Sequence, residues 1–387
     1  MSTSFNQGPL FVALALLGFS FGALLVIYPP LTCGAFGTTN LGVNYGIMFL
    51  GYAASTWISQ PITAVLYHAE AGNAAYQQSF YGAIAIAAVA AGVPFYTDPV
   101  QMMDEVKPEG VIIATPNGLH LSVAREAVKR GIVPLVEKPI SDNLEDAQAF
   151  AVEAEEAGVP VLVGQHRRHN PFVQKAKQII AGGELGKLTV SSFHYMIYKN
   201  DEYFDVEWRR KKGAGPILVN LVHDVDLLRY LLGEPVAVQG MQSSAARGFE
   251  TEDSAVVNVR FADGSLASMT ISDATASPWN WEATAREDPQ YRPFDADAYF
   301  IGGTKGALSL PRLHQVSYDG ASSWHKPLKL DVPAVDPALP HKMQLKHFVR
   351  VVRREEQPVV TPADNVKTLR TLNAIKQAAE TGELVEL

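Results

Sequence analysis

Between Pro9 and Tyr28 the chain runs PLFVALALLGFSFGALLVIY, twenty residues without a charge. A helix of that length covers roughly 30 Å, the thickness of a hydrocarbon core, so the run predicts a membrane-spanning helix. It is too long and too Gly-rich for a typical signal-peptide core, and it lacks a basic start. A second candidate span, VNYGIMFLGYAASTWISQPITAVLY (43–67), is more polar and carries Pro61 as a kink. SFYGAIAIAAVAAG (79–92) is apolar but short. Gly18 and Gly22, and Gly42 and Gly46, recur at the four-residue spacing that suits close helix packing in lipid. The alternative is a buried apolar hairpin, which a soluble domain would have to cover without charged surface.

The period changes at residue 93. VPFY (93–96) reads as a short strand and GVIIATP (110–116) as a β-branched apolar run ending in a turn. LHLSVAREAVKRG (119–131) has apolar residues at helical spacing and stops at Gly131. IVPLVEKP is another buried strand, NLEDAQAFAVEAEEAG (143–158) an amphipathic helix, and VPVLVGQ (159–165) a third apolar run. Strands without polar alternation, joined by helices, predict a parallel sheet covered on both faces, whose ligands bind beyond the carboxyl ends of the strands. Glu137 and Lys138, in VEKPIS (136–141), arrive at such an end; Thr115, Pro116, Asn117 and His120 follow the preceding strand. On spacing alone, a ligand-binding rim and a solvated loop pair ended by Pro139 are equally good readings.

After residue 166 the period becomes that of strands. LTVSSFHYMIY (188–198) alternates, DSAVVNVRFADGSLASMTIS (253–272) reads as two strands about a tight turn, and DAYFIGGTKGALSLP (297–311) as another hairpin. Between them ILVNLVHDVDLLRYLLG (217–233) predicts one helix ended by Gly233, with Asn220, His223 and Asp224 on one face. By itself this pattern favours a core histidine satisfied by a carbonyl.

Charge divides the chain more sharply than any motif. Residues 1–97 hold one formal charge, Glu70; all 32 Lys and Arg and 39 of the 40 acids follow, so the remainder carries 32 − 39 = −7. A net charge of −8 argues against a nucleic-acid surface. The single cysteine, Cys33, rules out an intramolecular disulfide and a cysteine-based zinc site, and no metal centre is expected. The length of 387 residues suits two or three domains.

IIATPNGLH, VEKPIS and GPILVNLVHDVDLLRYLLGEP, in that order, resemble the Gfo/Idh/MocA family of NAD(P)-dependent oxidoreductases from about residue 88 to 387. The resemblance implies an α/β fold. A Rossmann-type parallel sheet is joined to an α+β domain with an open antiparallel sheet. It implies hydride transfer between NAD or NADP and a hydroxyl or carbonyl of a sugar, polyol or cyclic diol. It places Lys138 between nicotinamide and substrate, with Thr115, Pro116, Asn117, His120, Glu137 and Pro139 lining the cofactor. It makes His223 the proton-transferring residue, catalytic together with Lys138, and imidazole titrates near neutrality as that role requires. Arg167 and His169 in GQHRRHNP (164–171), Tyr198, Trp208 in EWRRK (207–211), Asn220 and Asp224 are candidate substrate contacts. Trp279 and Trp281 in SPWNWE (277–282) fit stacking on a sugar and ordinary sheet packing equally well. Many family members carry an Asp four residues before the histidine; here that position is Val219, which leaves the division of labour between Lys138 and His223 open.

YPPLTCGAFGTTNLGVNYGIMFLGYAAS resembles late helices of major facilitator transporters, most of all the oxalate/formate antiporter group, over about 85 residues. Two helices and the start of a third cannot form an alternating-access pathway. The Gfo/Idh/MocA pattern opens on a strand, a Gly-x-Gly-x-x-Gly turn and a helix, and that turn is absent from residues 1–100. The expected organisation is therefore transmembrane-like helices over 1–87, an incomplete dinucleotide-binding domain over 88–165 that lacks its first β-α-β unit, and a catalytic domain over 166–387. Weak or absent cofactor binding and an exposed apolar edge at GVIIA follow from it. So do a small-molecule substrate and a cytoplasmic soluble domain held at a membrane by the N-terminal helices. If those helices do not insert, the chain is cytoplasmic. The antiparallel sheet offers a surface for a homo-oligomer. A membrane-anchored pseudoenzyme or binding protein, and a non-functional fusion with a transporter fragment, are the competing readings.

Overall fold

The computed structural model describes residues 96–288 and 291–387. The candidate spans at 9–28 and 43–67, the run at 79–92 and most of the VPFY strand lie outside them. Among the described residues no helix is long and apolar enough to cross a membrane.

Helix α1 (Pro99–Val106) precedes a parallel sheet of β1 (Gly110–Ile113), β2 (Val133–Val136) and β3 (Leu162–Val163), in the order β1-β2-β3. The crossovers are α2 (His120–Lys129) and α3 (Leu144–Glu156). Asn143 starts α3 by accepting the Asp146 amide, and Glu145 and Asp146 complement the helix dipole in the first turn. Gly131 and Gly158 follow the two helices at φ 71° and 65°, a turn of the backbone that side chains resist. Ile113, Val136 and Val163 from the strands pack with Leu121, Phe150 and Ala147 from the helices. β1 and β2 are shorter than their apolar runs because the last residues of each run leave the strand and form the carboxyl rim. Among the described residues β1 is an edge, and Ile112 on it is 56% exposed.

Helix α4 (Pro171–Ala181) leads into the second layer, a nine-stranded sheet in the order β11-β10-β9-β8-β4-β7-β6-β5-β12. Its strands are β4 (Leu188–Met196), β5 (Pro235–Ser243), β6 (Ser254–Phe261), β7 (Leu266–Ser272), β8 (Tyr299–Gly303), β9 (Gly306–Leu310), β10 (His314–Tyr318), β11 (Leu328–Asp331) and β12 (Val385–Glu386). The expected hairpins form in register. The sheet is not wholly antiparallel, because β4 and β7 pair in parallel. β5, β6 and β7 form a meander, and its last strand docks on the β4 laid down before the intervening helices.

The predicted helix over 217–233 is interrupted. It forms two pieces, α5 (Pro216–Val219) and α6 (Val222–Leu232), separated by a turn at Asn220 and Leu221. The amides of Asn220 and Leu221 both reach the Pro216 carbonyl at 3.1 Å, so the four-residue ladder slips by one position. Asn220 therefore leaves the face it would share with His223 and Asp224 in a continuous helix.

After α7 (Trp281–Thr284), α8 (Pro340–Val352) and α9 (Pro362–Thr381) return to the first layer. Phe348 and Val351 of α8 pack on Val133, Leu135 and Leu162. Helix α9 joins both cores: Val366 and Leu369 lie against the parallel sheet's cluster, and Leu372, Ile375 and Ala378 against the other. Polar chemistry reinforces the junction. Arg168, 5% exposed, forks onto Asp226 of α6 at 2.8 and 2.7 Å and reaches Asp364 of α9 at 2.7 Å. Removing the guanidinium leaves Asp226 buried with an uncompensated charge. Arg168→Ala is expected to lower unfolding stability by about 3–5 kcal/mol, read as a shift of the urea midpoint at neutral pH, with Arg168→Lys recovering part of the loss.

Candidate active site

Each strand of the parallel sheet delivers polar residues to one rim: Thr115 after β1, Glu137 and Lys138 after β2, and Gln165, His166 and Arg167 after β3. His120 binds the first two of these loops together. Its Nδ1 is 2.8 Å from the Pro139 carbonyl and its Nε2 2.8 Å from the Thr115 carbonyl, with the ring buried. The resemblance implies a cofactor contact at His120; in the structure its ring lies between these two main-chain oxygens, one of which a neutral ring can serve as donor. Gly164 lets β3 pass close to Glu137, since a Cβ there would sit 3.2 Å from the Glu137 Cα and carboxylate. The Thr115 hydroxyl oxygen is buried without a partner among the described residues, while Pro116 and Asn117 are exposed. Pro139 follows Lys138 through a cis peptide and is half-buried.

Lys138 is half-buried, and its ammonium makes no hydrogen bond or ion pair among the described residues. Burial lowers its pKa; Glu137 and Glu282 oppose the fall, and Arg167 adds to it. His223 stands in the first turn of α6, 8% exposed, with Nδ1 3.0 Å from the Gln165 amide oxygen. Burial holds its pKa well below the usual imidazole value, and Lys138, Arg167, His166 and His341 push the same way. His166 lies edge-on to His223 at 4.8 Å between ring centroids, and His341, second residue of α8, stacks on His166 at 4.2 Å.

Behind this group runs a charged network. Arg167 donates to Glu282 at 2.7 Å and to the Tyr299 hydroxyl at 3.2 Å, with Asp224 at 3.5 Å; the Tyr299 hydroxyl in turn donates to Asp224. Burial pushes Asp224 up to about 6 against the pull of Arg167. Arg167 and Asp224, candidate substrate contacts, are 3% and 1% exposed and bound to these partners. His169 is equally buried, its ring 5.1 Å from that of His347. Asn220 belongs to a different group, accepting from Lys199 Nζ at 2.9 Å, while Lys199 pairs with Asp273 at 3.2 Å. Tyr198 and Trp208 are half-exposed, under the guanidinium groups of Arg247 and Arg209 respectively. Trp281 is 1% exposed and stacked with Tyr299, which resolves it as packing; Trp279 is 50% exposed. Gln165, His166 and Glu282 lie within the polar stretches that the sequence marks out, but Tyr299, His341 and Lys199 carry no local signal. Among the described residues no group of three or more His, Cys, Asp or Glu is placed to hold a metal ion.

Residues 51–165 match the model of the oxidoreductase family's NAD-binding Rossmann fold, and residues 173–309 that of the GFO/IDH/MocA C-terminal domain. The chain carries both domains of the Gfo/Idh/MocA family. As expected of it, this is an NAD(P)-dependent oxidoreductase by family. The first match begins ahead of residue 88, the point from which the motifs show the resemblance. The comparisons support neither the transporter fragment nor the weakened cofactor site. Among relatives, the 1,5-anhydro-D-fructose reductase of Ensifer adhaerens is 26% identical over 75% of this chain and 83% of its own length. The scyllo-inositol 2-dehydrogenase (NAD(+)) of Bacillus subtilis is 26% identical over 75% and 81%. The WlbA dehydrogenase of Bordetella pertussis, solved with NADH and UDP-GlcNAcA, shares the fold at a TM-score of 0.61 and 23% identity, over 79% of this chain and 87% of that one.

The site's histidines make stability depend on pH. His166 and His169 are held neutral by burial, to about 2 and about 4, against 6.5 for the free side chain. Below 6.5 the unfolded chain binds protons that the folded chain does not, so stability falls as pH falls, by about 1.4 kcal/mol per pH unit for each such residue. His169→Asn is expected to flatten the dependence of unfolding free energy on pH between 6.5 and about 4 by one residue's share, measured by denaturant titration across that range.

Proposed function

We propose that the chain oxidises a secondary alcohol of a sugar, polyol or cyclic diol, or runs the reverse reduction, with NAD or NADP as the hydride carrier. One observation carries the reading. Lys138 follows β2 and His223 touches Gln165 after the adjacent β3 at 3.0 Å, so both stand at one rim, with the Lys138 Nζ uncommitted among the described residues. The relatives named for a sugar derivative and an inositol support the substrate class. The rim suits the nicotinamide end of the cofactor: Thr115 offers a buried hydroxyl with no partner among the described residues, beside Asn117, Glu137 and Lys138. When bound, the nicotinamide supplies the hydride acceptor: the alcohol carbon gives up a hydride and the alcohol oxygen a proton, leaving a ketone, the reduced cofactor and one released proton.

The chain's own residues then handle the oxygen and its proton. The Lys138 ammonium donates to the substrate hydroxyl and offsets the negative charge that develops as its proton leaves. His223, neutral at physiological pH because of its burial and cationic neighbours, accepts that proton. The lowered pKa of Lys138 lets it share in the transfer. Lys138→Ala and His223→Ala are each expected to lower kcat by about 10²- to 10⁴-fold while KM changes far less. Lys138→Arg should also be slow, because a guanidinium keeps its proton. Assay against a panel of sugars and polyols with both cofactors reads this; wild-type rates in both alanine variants would overturn the assignment. Calorimetric titration with NADH and NADPH tests the cofactor part separately.

The outer face of the large sheet fits a second copy of this chain. Val190, Val256, Leu266 and Phe300 are exposed on it, and Arg260 is the single formal charge at the outward positions of β4, β6, β7 and β8. An apolar face so nearly free of charge is complementary to itself. Sedimentation should find a dimer, and Phe300→Asp should shift it to monomer with the fold intact by circular dichroism.

A further inference from the structure

His223 can act as a base only through a nitrogen that carries a lone pair, so the site of its proton decides the chemistry. Gln165 bears on that choice. It follows β3, is 1% exposed, and its main chain is fixed by bonds to the Val163 carbonyl at 2.8 Å and from the Arg168 amide at 3.2 Å. Its amide oxygen lies 3.0 Å from His223 Nδ1. An amide oxygen accepts and cannot donate, so with the amide oxygen toward the ring, as it stands, a neutral ring holds its proton on Nδ1 and its lone pair on Nε2; the Gln165 amide nitrogen is buried without a partner among the described residues. Nε2 makes no hydrogen bond among the described residues.

The surroundings leave this task to Gln165. The groups that face the ring are Lys138 from the end of β2, His166 and Arg167 from the turn after β3, and His341 from α8, and all of them disfavour the imidazolium. Asp224 is adjacent in sequence, but its carboxyl is committed to the Tyr299 hydroxyl and Arg167. Four residues earlier in sequence, at the end of α5, the residue is the apolar Val219. We propose that Gln165 is a positioning residue that locks His223 as the Nδ1-protonated tautomer with a neutral acceptor instead of a carboxylate. The lock crosses from the cofactor domain to the catalytic domain, so it also sets where the base stands relative to Lys138. Without an anion at Nδ1, the ring takes up the substrate proton only transiently and must hand it on.

The inference rests on the reading of His223 as proton acceptor, and its test has a readout that needs no turnover. In ¹⁵N-histidine-labelled protein, long-range ¹H–¹⁵N correlation distinguishes the two neutral tautomers, and the His223 signals are those missing from His223→Asn. At pH 7.5 the wild-type ring should be Nδ1-protonated, and Gln165→Leu should convert it to the other tautomer or a mixture. Gln165→Glu keeps the acceptor and adds a charge, so it should keep the tautomer and raise the pH at which the ring protonates by about one unit or more. In assays, Gln165→Leu should lower kcat by about a hundredfold with little change in KM. Gln165→Glu should restore much of the rate, with the acid limb of the kcat profile moved up by the same interval. A wild-type ring protonated on Nε2, or a tautomer unchanged in Gln165→Leu, overturns the lock. Should Gln165→Leu not fold, the Gln165→Glu displacement of ring titration decides alone, and its absence overturns the proposal. A correct tautomer response in a chain that turns over no alcohol would sink the dehydrogenase reading and leave the lock standing.

Discussion

Two consecutive arginines on one short turn cannot both remain inside this protein without partners, and meeting that demand orders the rest of the structure. Arg167 and Arg168 are 3% and 5% exposed. A buried cation is costly unless it is paired and hydrogen-bonded. Neighbouring side chains point apart, so the two recruit different partners: Asp226 and Asp364 for Arg168, and Glu282, Tyr299 and Asp224 for Arg167. The first set ties α6 and α9 to the end of the parallel sheet. The second ties the same turn to α7 and to β8 of the large sheet. Because the turn leaves β3 directly, these pairings place the rim that bears Lys138 against the helix that bears His223.

The consequence is a site with an unusual distribution of charge. Its fixed cations, Lys138 and Arg167, face rings that burial already holds neutral. The carboxylates nearby are engaged: Glu282 with Arg167, and Asp224 with both Arg167 and Tyr299. Lys138 and Arg167 both act with burial to keep the His223 imidazole unprotonated. The balance depends on Glu137 and Glu282 beside Lys138, which oppose the other influences on it.

Much of this was legible from the chain alone. Periodicity gave α2 and α3, with Gly131 and Gly158 after them, and the hairpins of β6 with β7 and β8 with β9, because burial on one face leaves its own spacing in the sequence. The candidacy of Lys138 and His223 came from the family resemblance of VEKPIS and GPILVNLVHDVDLLRYLLGEP, because spacing alone fitted a solvated loop pair and a core histidine as well. Where local rules were applied alone they failed in a specific way. The stretch 217–233 has uninterrupted helical spacing, yet the ladder slips where the Asn220 and Leu221 amides share one carbonyl, and Asn220 turns to Lys199.

The sequence by itself determined the alternation of strands and helices and the family to which both domains belong, since each is written in contiguous residues. Tertiary structure decided the contacts. It turned His120 from a rim residue into a clamp between two carbonyls, buried Trp281 against Tyr299, and brought His341 from α8 onto His166. It also paired β4 with β7 in parallel, and set Gln165 against the His223 ring. None of these follows from spacing, because a hydrogen-bond acceptor or a stacking face acts through distance in space, and residues far apart along the chain meet only once both cores have packed.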